Sequence, residues 1–474
     1  MSGLLIRRAE VGGLLRDVRV GRGRVLEIGR SLLREGADER VLDGRGGALL
    51  PGLTDHHLHL FATAADLAST PCGPSAAHDA TELRGLLHRA RPDEHGWTRG
   101  VRYHESVAGD LDAVGLDLLR DDVPVRVQHR SGALWMLNSR AAAAIGLEQA
   151  QHPGVERDAR GHATGRLWRA DDWLRTRLPR SRPPSLAALG RLLAGYGITS
   201  VTDASPALDA GTVDAITAAM AEGALPQRVR LLGAPLHADG PSEPTNRQRG
   251  PLAGPWKIVL ADSGLPHYDE LVEEITAAHR AGRPVAVHCV TRESLVLLLA
   301  ALEQTGSRPG DRLEHAALVP QELIPTLHRL GLRVVTQPGF LADRGDDFLL
   351  GIPAAEHGDL YRCASLLAGS VPLALSSDAP YGPLDPWAVL RAAVSRLTPA
   401  GAVAGPGERL SPAQALDGYL SPARLPGAPA RTVCVGEPAD LVLLHTPLAE
   451  ALARPHAELV RLCLTAGEPG TAMF

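Results

Sequence analysis

The chain is nearly without lysine: its 474 residues include 49 lysines and arginines, and removing the single lysine, Lys257, leaves 48 arginines. Those arginines are scattered among acids rather than gathered in a block, and the formal net charge is only -5, which argues against a nucleic-acid surface. Cysteine is sparse as well. Cys72, Cys289, Cys363, Cys434 and Cys463 are odd in number, widely spaced and free of any CxxC pair, so neither a disulfide framework nor a zinc-finger site is expected. No apolar run approaches the length of a membrane span, and the start, MSGLLIRRAEVGGLL, lacks a cationic region followed by an unbroken apolar core. There is no GxSxG, and the lysine is not part of a GxxxxGK loop, so serine-hydrolase and nucleotide-binding readings lack support. What remains is a cytoplasmic protein whose partner is a small molecule rather than nucleic acid or membrane; a homodimer is compatible with this.

The text of the chain is organised in three parts. Residues 1–50 read as short strands broken by glycine turns (LLIRRAEV, DVRVGRG, RVLEIG), the first part of a small β-sandwich. From about residue 195 strands and helices alternate, the pattern of a parallel α/β fold. Counting LLPGLTDHHLHL first, the strands GITSVTDA, RVRLLGAPL, WKIVLADS, PVAVHCV, RLEHAALV, RVVTQPGF and VPLALSSDAP make eight. Eight such units predict an α/β fold of the (β/α)8 TIM-type barrel over residues 51–400, with reactive groups at the C-terminal strand ends. The long insertion after strand 1, about residues 65–190, predicts a cap. Residues 401–474 read as a Gly/Pro-rich linker followed by the strands GEPADLVLLH and LVRLCLTAG, which would complete the discontinuous sandwich from both termini.

In DHHLHL, His57 and His59 stand at i and i+2 of a strand and so point to one face, where two imidazoles could share a metal; His56 points the other way. His288 ends PVAVH, His315 ends RLEH and Asp378 ends VPLALSSD. A single histidine at a strand end is more often structural than a ligand. Four histidines and an aspartate ending different strands of one barrel are hard to explain as packing, and predict a metal site.

Lys257 lies in the same series, near the end of the strand before His288. Burial would disfavour its ammonium form. A neutral amine can react with carbon dioxide to give a carbamate, an oxygen ligand able to bridge two cations, whereas arginine stays charged and cannot. The one exception to the chain's use of arginine therefore falls where an amine would serve.

These residues carry a resemblance to the metal-dependent amidohydrolase superfamily. PGLTDHHLHL resembles its first-strand Asp-x-His-x-His motif, and the lysine, two single histidines and final aspartate follow in the family's order. Within it the chain is similar to the amidohydrolase family 3 branch that includes N-substituted formamide deformylase-like predicted hydrolases. That closer likeness rests on SGALWMLNSRAAAAIGL, RDARGHATGRLW, QPGF and SSDAPYGPLDP, while GEPADLVLL resembles the superfamily's strand entering its split β-sandwich. The resemblance implies that His57, His59 and Asp378 hold one divalent ion, that His288 and His315 hold a second, and that carboxylated Lys257 bridges them. Zinc suits the imidazole-rich set. It also implies cleavage of an amide or formamide-type C-N bond by metal-activated hydroxide, with Asp378 as catalytic proton shuttle.

The likeness breaks at two loops. ADSGLPHYDE replaces the branch's Gly-rich loop after the lysine strand, and VTRES replaces the usual Gly-Asp pair after His288, which brings Arg292 towards the mouth. Arg292, with Tyr103 and His104 of GVRYHES, is a candidate substrate contact. Two other readings compete: a heterocycle deaminase of the same superfamily, for which HCVTRE places its glutamate too far from the histidine, and a non-catalytic binding protein, for which the ligand set is too complete.

Overall fold

The computed structural model describes residues 3–179, 183–236, 250–261 and 264–470. The chain divides into two compact units, one comprising residues 1–60 and 186–474 and the other residues 61–185.

In the first unit, parallel strands alternate with helices. They are β1 (Leu53–Leu58), β2 (Ile198–Asp203), β3 (Arg228–Leu231), β4 (Trp256–Val259), β5 (Val285–Cys289), β6 (Arg312–His315), β7 (Arg333–Thr336) and β8 (Leu373–Leu375). The first three pair in parallel, with the two-residue strand Leu252–Ala253 added beyond β3; the last five form a second parallel sheet. Backbone bonds connect the two sheets on both sides: Lys257 N–H donates to Leu232 O at 3.3 Å, and Asp378 N–H to His57 O at 2.8 Å. Every residue of β1 is buried, as expected for parallel strands covered on both faces.

Local chemistry sets the intervening helices. Tyr268–Arg280 carries Asp269 and Glu270 in its first turn and His279 and Arg280 in its last, matching the helix dipole. Arg292–Thr305 is capped by Thr291, whose side chain accepts from Ser294 N–H, and it buries Leu295, Leu298, Leu299 and Leu302 on one stripe. The ADSG loop after β4 is described only at Ala261 and Gly264; Asp262 and Ser263 lie outside the described residues.

Two four-stranded sheets flank this core in the same unit. Leu4–Val11, Leu14–Gly21, Arg24–Gly29 and Arg40–Asp43 form one, and Leu49–Pro51 joins Leu441–Leu444, Val460–Thr465 and Glu468–Gly470 in the other. Both contribute to a single apolar cluster that includes Ile6, Val18, Val20, Leu49, Leu441, Leu443 and Leu464. Gly47, at the entry to Leu49–Pro51, is closely packed: a Cβ there would lie 1.9 Å from the carbonyl oxygen of Leu444. Gly47→Ala is expected to cost about 1–3 kcal/mol through this clash. An unchanged calorimetric melting temperature would contradict that account.

The second unit is built on a six-stranded sheet, ordered Val155–Arg157, Ala163–Trp168, Leu134–Leu137, Val125–His129, Thr98–Tyr103 and Thr70–Pro71. The LNSRAAAA stretch owes its form to Asn138. Its Oδ1 accepts from Ala141 N–H and Val125 N–H, while Nδ2 donates to Arg120 O and Val123 O, so one buried side chain caps helix Ser139–Ala144 and ties it to its neighbours. Among the described residues, no helix of either unit is long and apolar enough to cross a membrane.

Candidate metal centre

The C-terminal ends of the parallel strands concentrate ionisable groups in a buried space. His57 on β1 is fully buried, and its Nε2 lies 3.4 Å from Asp378 Oδ1 without a hydrogen bond. His59, just past the strand, brings its Nε2 to 3.3 Å from the same oxygen. Ligand atoms of His57, His59 and Asp378 all lie within 4.8 Å of one another, a spacing that suits a single cation. His57 Nε2 and Asp378 Oδ1 are both buried without a hydrogen-bond partner among the described residues, and two orphaned basic atoms facing one space fit a metal ion.

His315 and His288 extend the cluster. The ring of His315 is centred 4.8 Å from that of His57 and 4.3 Å from that of His288, and its Nδ1 lies 3.7 Å from Asp378 Oδ2. Register places these groups at one level, because His288 pairs with Glu314 and Cys289 with His315 across β5 and β6. Lys257 is 6 % exposed on β4, and its charge acts on His57, His288 and His315.

Burial dominates the electrostatics. It pushes His57 and His315 below the ordinary imidazole value and His288 down to about 3, with the Lys257 charge acting in the same direction. Burial also depresses the Lys257 ammonium, against opposing pulls from Glu314 and Asp378. For Asp378, burial favours the neutral acid, but His57, His315 and His59 together outweigh it and hold the carboxyl well below its usual range. Neutral His57, His288 and His315 beside an ionised Asp378 are in the protonation states that metal ligation requires.

Three of the four imidazoles are also oriented from behind. His57 Nδ1 bonds to Glu314 Oε2, His315 Nδ1 lies 3.0 Å from Gln337 Oε1, and His59 Nδ1 lies 3.1 Å from Ser205 Oγ. Gln337 is itself fixed by its Nε2 donating to Ser376 Oγ. With Nδ1 engaged, each ring presents Nε2.

The sequence model of the amidohydrolase family matches residues 40–469. The chain belongs to the amidohydrolase family. It is 26% identical over 492 aligned residues to the N-substituted formamide deformylase of Arthrobacter pascens, covering 90% of this chain and 89% of that one. It is 25% identical to the putative amidohydrolase YtcJ of Bacillus subtilis, over 74% of each chain. Its fold is that of an uncharacterized metal-dependent hydrolase from Pyrococcus horikoshii, with a TM-score of 0.74, 19% identity and coverage of 99% of this chain and 100% of that one.

Three further candidates in this amidohydrolase have partners of their own. Arg292 opens helix Arg292–Thr305 and donates to Asp359 Oδ2 at 3.0 Å. Tyr103 and His104 belong to the 61–185 unit, where the Tyr103 hydroxyl donates to Gly109 O and His104 Nδ1 accepts from Ser106 N–H. Sequence reasoning missed Glu314, Gln337 and Ser205. Glu314 left a usable signal in RLEH: an acid inside an apolar strand, two positions from Arg312, is as unexpected as a lysine there.

Proposed function

We propose that this amidohydrolase is a metal-dependent hydrolase that cleaves a non-peptide C-N bond, of amide or formamide type, in a small molecule. The observation carrying the reading is the convergence of His57 Nε2, His59 and Asp378 Oδ1, two of these atoms buried and unsatisfied. On this reading the eight strands close into a barrel. His57, His59 and Asp378 would hold one divalent ion and His288 and His315 a second, with Lys257 supplying a shared ligand as its carbamate; zinc suits the nitrogen-rich set. Two such ions would lower the pKa of a water between them and polarise the substrate carbonyl.

The chain's own groups supply the proton path. Asp378 Oδ1, held ionised and 3.3–3.4 Å from two imidazoles, takes the proton lost as water adds to the carbonyl carbon. It returns that proton to the nitrogen as the C-N bond breaks, giving a carboxylic acid and an amine. Tyr103, His104 and Arg292 complete the proposed substrate contacts, and five cysteines outside any disulfide suit a reducing cytoplasm. Heterocycle deamination is disfavoured by Glu293, which is exposed on its helix rather than aimed at the cluster.

Metal analysis of protein grown with zinc and bicarbonate is expected to find about two ions per chain. A screen of N-acyl, N-formyl and cyclic amides should then reveal hydrolysis that a chelator abolishes and zinc restores. Metal-free protein under those conditions, or turnover indifferent to the chelator, would count against the proposal.

A further inference from the structure

A cavity beside β8 contains none of the candidate metal ligands. It encloses about 380 Å³ between β8, helix Ala364–Ala368, helix Pro412–Leu420 and residues 427–430. Leu373 and Leu375 point to the same side of β8, where Leu367, Leu410 and Ala428 complete an apolar wall. Gly418 lets helix Pro412–Leu420 approach that strand: a Cβ there would lie 2.7 Å from Leu375 Cγ. Gln414, Asp417 and Gly418, at i, i+3 and i+4, form the face that this helix turns to the cavity. The volume falls in the range of small-molecule sites.

The charge in this cavity is unbalanced. Among the described residues, Asp417 is the only charged group lining it and makes no hydrogen bond or ion pair. Other acids of the same unit are paired: Arg362 bonds to Asp359 at 2.7 Å and to Glu408 at 3.0 Å. Asp417 also stands in the last turn of its helix, where the dipole disfavours a negative charge and no basic residue offsets it. Partial burial pushes its carboxyl above the ordinary value, and no charged group acts in the other direction. A cation bound here would be stabilised by the carboxylate and by the helix end together.

We infer that this cavity binds a small organic ammonium ion, whose apolar substituent lies against Leu367, Leu373 and Leu375 while its N–H groups donate to the Asp417 carboxylate. A metal cation fits poorly, because one carboxylate and the Gln414 amide leave most of a coordination shell unfilled. An anion would meet the carboxylate and the negative end of the helix together. A neutral apolar molecule would gain from the leucines but leave the acid without a partner.

The matched probes are benzylammonium and benzyl alcohol, which are close in shape and differ in charge. Calorimetry with the zinc-loaded full chain is expected to show saturable binding of benzylammonium, about 3- to 10-fold tighter than that of benzyl alcohol. High salt should shrink the difference. Asp417→Asn, a change at an exposed position, should bring the two probes level. Ala428→Phe should fill the cavity and abolish binding of both in protein that circular dichroism shows to be folded. Equal affinities in the wild-type protein, or no saturable binding, would overturn the inference. So would binding that survives in Ala428→Phe, or an ammonium preference that persists in Asp417→Asn, since the ion would then be held elsewhere. Sedimentation tests the competing occupant: a dimer that excludes benzylammonium and dissociates in Ala428→Phe would assign the cavity to a second copy of this chain and overturn the inference as well.

Discussion

Replacing Lys257 by arginine is expected to give a folded protein that loses hydrolysis by more than about 100-fold, beyond the range typical of groups that merely orient metal ligands. The argument starts from cost. Lys257 is almost wholly buried within reach of His57, His288 and His315, and a cation there forfeits its hydration while gaining only partial compensation from Glu314 and Asp378. Conversion to the carbamate changes that balance: the ammonium gives up one proton, the resulting amine nitrogen bonds to the carbon of carbon dioxide with release of a second, and a destabilising cation becomes an anionic ligand. Arginine cannot make this change, since it keeps its charge. Lys257→Met separates structure from function. It removes the buried charge at similar volume, so its melting temperature in chelator should equal or exceed that of the wild type, while its metal content falls. Two ions per chain and full turnover in the Lys257→Met protein would refute the bridging role.

What the sequence revealed and what it hid follow from the range of the interactions involved. Strands covered on both faces must be apolar throughout, so the runs at Ile198–Asp203 and Val285–Cys289 stand out, and a polar residue within or ending such a run is conspicuous. His57 and His59 were legible through a two-residue period, Lys257 through its rarity. The partners of their ring nitrogens were not. Glu314 meets His57 across 257 positions and Ser205 meets His59 across 146, separations fixed by sheet register and by nothing local. The partner of Arg292 was hidden for the same reason. Arg292 directly follows the strand that carries His288, which made it prominent, but its neutralisation by Asp359 depends on a contact 67 positions away. The candidate ligands thus follow from local pattern, while their orientation follows from tertiary contacts.

Glu314→Ala is expected to damage the protein twice, in stability and in metal affinity, and the two effects can be separated. The carboxylate is completely buried, bonded through Oε1 to Arg312 Nε and through Oε2 to His57 Nδ1. Its removal leaves the guanidinium of Arg312, 1% exposed, with the His56 carbonyl as its remaining acceptor among the described residues. An uncompensated buried charge of this kind costs about 3–5 kcal/mol, which denaturant unfolding would register. Independently, His57 loses the acceptor that keeps its proton on Nδ1 and its Nε2 lone pair free, so affinity for zinc at His57, His59 and Asp378 should fall about 10- to 100-fold in a chelator competition. Glu314→Gln should be intermediate, because one amide oxygen cannot accept from both Arg312 and His57. Exchanging the whole pair, Arg312→Met with Glu314→Leu, removes the buried charge together with its partner. Stability should then return to near the wild-type value, while zinc affinity stays low because His57 still lacks its acceptor. Recovery of zinc affinity along with stability in that double variant would show that Glu314 serves the fold alone.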